Sequence, residues 1–310
     1  MFGRICHRLL LGAALVFVLS LVSFALFYAM PGDAARQLLA QMMDGMPDQA
    51  STEALRTRHG LDRPLHEQYL AWLGRALSGE FGASFQTGNA VADELPRRAG
   101  ASLALTGAGM LVMAAIAFGL GIAAAMRAGG WFDRSVLVGS VVAMAMPNFW
   151  LGQLLLLVFA LWLGLLPVTG GGATGIVLPA VVVGASLAGL STRYVRSWVM
   201  ETLRLDHVRT AYAKGAAPGR VMLRHVLPVA LPALITLFGL QAVRIFDSLI
   251  VVEVVFGWPG IGSYLASAVL SRDLPVMQAT LMLVGIAYVL VNILVDITIA
   301  LVDPRAAAAV

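Results

Sequence analysis

The chain has 310 residues, of which 59% are hydrophobic and 12% charged, with a mean hydropathy of +0.85 and a formal net charge of +4. Charged residues make up about a quarter of an ordinary soluble domain, so this composition excludes one and describes an integral membrane protein. The positive balance comes from twenty Arg and the single Lys214, spread mostly over the segments between apolar runs, which is a topology signal and implies no nucleic-acid partner.

Six apolar runs predict spans over Leu9–Met30, Ala101–Met126, Ser135–Leu163, Ile176–Val195, Val226–Val252 and Val276–Val302. Each supplies the ~20 residues a helix needs to cross hydrocarbon, and none shows the ten-residue alternation of an outer-membrane barrel. The expected fold is therefore an all-α membrane bundle of six transmembrane helices. The first run follows Arg4 and Arg8, as a cleaved signal would. It is longer than a signal core of ~7–15 residues, and Tyr28-Ala29-Met30-Pro31 is a poor cleavage site, so retention is expected. Cys6 is the only cysteine, so no intrachain disulfide can form.

Between the first two runs lies the one stretch able to form a small non-membrane subdomain. Pro64 suits a helix start, and Leu65, Tyr69, Trp72, Leu73, Ala76 and Leu77 recur at helical spacing after it. The organisation expected is residues 1–30 as N-terminus and first span, 31–100 as an extracytoplasmic helical segment, 101–302 as the transmembrane domain with a cytoplasmic loop at about 196–225, and 303–310 as a tail. The helix after Pro64 has two readings: it packs on the membrane surface, or it meets a partner.

Basic residues set the orientation. With both termini inside, the cytoplasmic segments hold twelve of them and the two short outer loops hold one, Arg272. Seven of the twelve lie between Arg193 and Arg224, where Arg209-Thr210-Ala211-Tyr212-Ala213-Lys214-Gly215 precedes Leu227-Pro228. Gly215 permits a tight turn between two short helices, and small Ala211 and Ala213 are expected to leave a surface on which a partner closes.

This spacing of Ala, Gly and Leu-Pro resembles the cytoplasmic loop of ABC importer permeases. Further stretches are similar to the peptide/nickel group of those permeases: Met30-Pro31-Gly32-Asp33, Gly60-Leu61-Asp62-Arg63-Pro64-Leu65, Phe81-Gly82-Ala83-Ser84-Phe85, Met146-Pro147-Asn148-Phe149-Trp150, Leu178-Pro179-Ala180, Glu253 through Gly262, Arg272-Asp273-Leu274-Pro275-Val276 and Val291 through Asp296. Any one is weak, but their order along nearly the whole chain is specific. The resemblance implies a permease subunit of the bacterial inner membrane that carries short peptides or nickel and metal chelates. It also implies a second homologous permease, two ATPase subunits holding ATP and Mg, and an extracytoplasmic binding protein. The segment Arg209–Gly215 would then be the ATPase-coupling loop. No cofactor, catalytic residue or metal site is expected on this chain, which has no Gly-x-x-x-x-Gly-Lys-Ser/Thr phosphate loop, His-Glu-x-x-His, Cys-x-x-Cys or Gly-x-Ser-x-Gly. His59 and His66, seven residues apart across Pro64, read as solvated surface.

Charges in or at the edge of the last two spans mark a candidate translocation path: Arg244, Asp247, Glu253 and Asp296, with the turn Trp258-Pro259-Gly260. Each charge would cost about 3 kcal/mol facing lipid, so each should face protein or water. Arg244 and Asp247 are one helical turn apart, and mutual pairing is the simpler reading; a cargo path is the other. They depart from the small or apolar residues that the resemblance implies at those positions. In the turn, Pro259 removes a donor while Gly260 and Gly262 are expected to take unusual dihedrals, either beside the path or as an interfacial turn anchored by Trp258. The competing class is an ion-coupled secondary transporter using the intramembrane charges, for which inverted repeats should be visible and none is.

Overall fold

A computed structural model describes residues 2–29, 53, 62–168 and 172–302. These form helices α1 (Phe2–Ala29), α2 (Leu65–Leu77), α3 (Val91–Met126), α4 (Trp131–Ala145), α5 (Asn148–Trp162), α6 (Val177–Leu203), α7 (Asp206–Ala213), α8 (Pro218–Val255), α9 (Ile261–Ser271) and α10 (Leu274–Val302), with one further helical turn at Gly172–Gly175. Five of them are long and apolar enough to cross a membrane, and six spans result if α4 and α5 are one broken span. The chain divides into two compact units, Met1–Gly100 with Gly260–Leu290, and Ala101–Pro259 with Val291–Val310.

In the first unit α1 lies against the early part of α10. The approach is close, since a Cβ at Gly12 would stand 2.5 Å from Val289 Cγ1. Helix α2 follows Pro64 as the sequence predicts and packs on the side of α1, with Tyr69 Oη 2.7 Å from Ser20 Oγ and its ring edge-on to Phe24. Tyr69 and Ala76 are buried, whereas Leu65 and Leu77 at its ends are exposed. Val91, Leu95, Ile261, Ala268, Leu274 and Met277 form the unit's core.

In the second unit α6 is the most enclosed of the long helices. It meets α3 where glycine faces glycine: a Cβ on Gly184 would lie 2.8 Å from the carbonyl oxygen of Gly109, so only hydrogen allows the backbones so near. Gln241 on α8 is buried and donates to Leu187 O at 3.1 Å and Ser191 Oγ at 2.9 Å on α6, which satisfies a polar group in an apolar interior.

The structure revises several boundaries. The expected span Ser135–Leu163 is two helices bent by 106°. Pro147 lacks an N–H and pushes Met146 into an extended conformation at ψ 123°, so the helix stops and restarts. At 1.5 Å per residue each half is about 22 Å long, short of a ~30 Å hydrocarbon core. Helix α3 begins ten residues before Ala101 and accommodates Pro96, and α6 and α8 both outrun their apolar runs. Helix α9 is an additional apolar helix too short to span.

Candidate functional site

The loop between α6 and α8 is built as a helix, a tight turn and a helix. Leu205 is extended and α7 starts at Asp206; Val208 and Ala211, three residues apart, face inward and are buried with Ala117, Ala125, Val195, Val199 and Val221. At its end the Gly215 N–H donates to Tyr212 O at 2.9 Å and the Ala216 N–H to Ala211 O at 3.2 Å, with Gly215 at φ +78°. That is a Schellman ending, in which a left-handed residue after the helix lets its last carbonyls be satisfied. Ala217 is then extended ahead of Pro218, which opens α8 where a missing N–H does no harm.

The outcome corrects one reading. Ala211 is not part of a partner-facing surface; its small side chain lets α7 lie flat on α3, α6 and α8. Arg209, Thr210, Tyr212, Ala213, Lys214 and Gly215 are the exposed residues of the segment. The Val208 to Ala211 spacing is the signal that could have shown this, because an apolar pair at i and i+3 in a polar loop marks the inner face of a helix. Arg209 stands 4.0 Å from Asp206 in an ion pair exposed on both sides, so its charge remains available.

Beside this loop the structure assembles an ion pair that sequence reasoning counted only as topology. Buried Asp133, in the first turn of α4, accepts from Arg196 of α6 through both guanidinium branches, Nη2 at 2.7 Å, and from the Gly129 N–H at 2.8 Å. One carboxylate thus ties α4, α6 and the α3–α4 turn.

The membrane charges separate into two kinds. Glu253 is fully buried and accepts from Ser102 Oγ, linking α8 to α3. Trp258 is buried with it; its ring Nε1–H donates to Ala101 O at 2.9 Å, and its backbone N–H to Glu253 O at 2.8 Å. The unusual dihedral here belongs to Gly257, at φ +59°, because the left-handed residue is the one that ends α8. Gly260 is merely extended, Gly262 lies inside α9, and Pro259 is exposed, so the expectation for the two glycines is corrected. Asp296 on α10 is half-buried, with one carboxylate oxygen withdrawn from solvent.

Arg244 and Asp247 are both exposed, and among the described residues no ion pair joins them. The pairing expected from their spacing is therefore absent. They share a stripe of α8 with exposed Leu240, Val251 and Val254, next to the buried stripe of Gln241, Ile245, Ser248 and Val252. Among the described residues no group of three His, Cys, Asp or Glu comes together; His66 is exposed, and His59 and the stretch Met30–Asp33 lie outside the described residues.

A further carboxylate, that of Asp273, is buried. Asp273 follows Arg272, which sits at φ +55°, and accepts from Ser84 Oγ, from the Phe85 N–H at 3.2 Å and from the Gln86 N–H at 3.3 Å. It holds the loop between Gly82 and Val91, whose ends meet through a Val91 N–H to Gly82 O bond of 3.0 Å. The two motifs Phe81–Phe85 and Arg272–Val276 are thus one structural feature.

Residues 117–308 match the family described as "Binding-protein-dependent transport system inner membrane component", and residues 1–106 match its N-terminal counterpart. The chain belongs to this family. It is 34% identical to the di/tripeptide transport system permease protein DppB of Pseudomonas aeruginosa, over 98% of each chain. It is likewise 34% identical to the glutathione transport system permease protein GsiC of Escherichia coli K12, over 98% of each, and 37% identical to a putative peptide permease protein of Brucella suis, over 97% and 98%. In fold it is similar to the inward-facing MetNI methionine ABC transporter, with a TM-score of 0.57 at 18% identity, over 67% of this chain and 95% of that one. This permease is thus a multi-pass membrane component of a transport system, and the ion-coupled alternative has no support.

Proposed function

We propose that this permease forms, with a second homologous permease, two ATPase subunits and an extracytoplasmic binding protein, an importer of short peptides in the bacterial inner membrane. The cargo assignment is supported by the relatives' names, which are those of di/tripeptide, glutathione and peptide systems. The observation that carries the mechanism is the exposed helix-turn-helix at Asp206–Val221, whose inner face is locked into the bundle by Val208 and Ala211. A rigid knob fastened to three long helices transmits a push, and a flexible loop would absorb it.

In this reading ATP and Mg bind the partner subunits. Closure of the ATPase pair acts on Arg209, Thr210, Tyr212, Ala213, Lys214 and Gly215, and the helices rock between inward- and outward-open states. Both termini are cytoplasmic, following the twelve-to-one distribution of basic residues over short segments. The path runs along α8, with Arg244 and Asp247 facing it, while Glu253, Trp258, Pro259, Gly260 and Asp296 shape its wall.

The test is ATP-dependent uptake of a labelled dipeptide into proteoliposomes holding the full complex. Gly215→Asp meets no atom within 4 Å, and although φ +78° strains any side chain there, Asp is among the residues that tolerate the left-handed region best; the complex is expected to assemble yet to lose uptake and ATPase stimulation together. Unchanged uptake would sink the coupling role. With Cys6 replaced, a Cys at Arg272 should react with an impermeant thiol reagent from outside and one at Ala217 from inside; the reverse would overturn the orientation.

A further inference from the structure

Arg244 and Asp247 lie deep in an apolar helix. At 1.5 Å per residue Arg244 is about 16 Å from the Val255 end of α8 and about 25 Å from Leu227. Facing lipid they would together cost about 6 kcal/mol on insertion scales, so their stripe faces water or protein. They are exposed, and they do not neutralise each other. Two opposite charges one turn apart, left open on a surface hidden from lipid, are arranged to meet a ligand that carries both signs.

A short peptide with free ends is such a ligand. Its carboxylate matches the planar fork of a guanidinium, and its ammonium matches a carboxylate acceptor. The Cβ atoms of residues three apart on a helix are about 5–6 Å from each other, and the ends of a di- or tripeptide are separated by roughly 7–11 Å at ~3.5 Å per residue. Long Arg and shorter Asp side chains splay apart easily over that difference. Two charges left open on the surface of this chain make weak contacts, as a transit step needs, because tight ligation would slow release.

We propose that Arg244 and Asp247 form a split-charge step in the path, Arg244 taking the free carboxylate and Asp247 the free ammonium of a passing peptide. This rests on the peptide-importer reading above. The same pair would discriminate against peptides blocked at either end.

The test uses the complete complex in proteoliposomes and compares uptake of Ala-Ala, its C-terminal amide and its N-acetyl form. Arg244→Gln is expected to lower Ala-Ala uptake about tenfold and bring the ratio of free to amidated peptide towards one, with the acetylated peptide affected as Ala-Ala is. Asp247→Asn should do the converse, collapsing the ratio of free to acetylated peptide. A ratio unchanged by either substitution overturns the proposal. So does a loss of co-purified partner permease in the single variants that Arg244→Leu with Asp247→Leu restores, since the stripe would then be a subunit contact. A wild-type complex that carries none of the three peptides under ATP would instead refute the peptide-importer reading itself.

Discussion

Glu253 and Arg244 stand nine residues apart on one helix, and the fold treats them oppositely. Glu253 is enclosed, held by Ser102 and packed beneath Trp258, whereas Arg244 and Asp247 are left open without an ion pair. Asp133 and Asp273 belong with Glu253: each is buried and each fastens two or more segments through named donors. A charge that is enclosed and satisfied in an apolar protein fixes a shape, and a charge left open stays available to a partner or a ligand. The loop between α6 and α8 divides the same way over a few residues, with Val208 and Ala211 locked inside and Arg209 and Lys214 exposed outside.

The most damaging way to break this division is to place a charge on the enclosed side. Ala211→Glu strands a carboxylate among Ala117, Val195, Val199 and Val221 and overfills the site. The loss should be on the order of 5 kcal/mol, and the variant should fail to purify as a folded permease. Ala213→Glu, two residues on and exposed, should keep its melting temperature within a few degrees and lose only ATP-driven uptake. Equal melting temperatures for the two would abolish the distinction.

Arg196→Leu comes next. It leaves Asp133 buried with only the Gly129 N–H, at a cost of about 3 kcal/mol since Arg196 retains some solvent contact. Adding Asp133→Leu should recover most of the loss, because replacing both members of such a pair by apolar residues is often close to neutral. A double variant as unstable as the single one would show that the charge itself, and not its partner, holds the α3–α4 turn.

Much of this was legible in the residues. Apolar run length gave five of the six spans, Pro64 gave the start of α2, and the order of the short motifs gave the family. What stayed hidden depended on contacts between distant residues. Arg196 reads as one more positive charge until Asp133, 63 residues away, is found against it, and Asp273 reads as a loop residue until Ser84 meets it. The Arg244 and Asp247 spacing pointed to a pair because it is a local rule, and local rules do not say which way a helix is turned. Pro147 carried its own warning, since proline inside an apolar run is the ordinary cause of a break.

Ser102→Ala has a smaller expected effect. It removes one donor from a fully buried carboxylate, and a buried group losing a hydrogen-bond partner costs about 1–3 kcal/mol. Thermal unfolding of the purified complex should record a drop of several degrees, and Ser102→Thr, which keeps the hydroxyl, should recover part of it. No drop in Ser102→Ala would move Glu253 from the enclosed set to the open one.

The smallest effect on stability is expected at Arg209. Its ion pair with Asp206 is 4.0 Å long and exposed on both sides, and surface pairs of that kind contribute about 0–1 kcal/mol. Arg209→Ala should therefore melt with the wild type. If the exposed side of α7 is where the ATPase presses, the same substitution should weaken co-purification of the ATPase subunits and do so less at high salt, where screening has already weakened that contact in the wild type. Arg209→Lys should retain the charge but lose the planar fork, so recovery by Lys would mean that the partner surface reads charge alone, and failure of Lys would mean that it presents a carboxylate or backbone carbonyls arranged for two parallel bonds. An Arg209→Ala complex indistinguishable from wild type in stability, ATPase recovery and uptake would remove Arg209 from the recognition of this loop and leave it to Lys214 and the knob's shape, set by Gly215 and the Schellman turn.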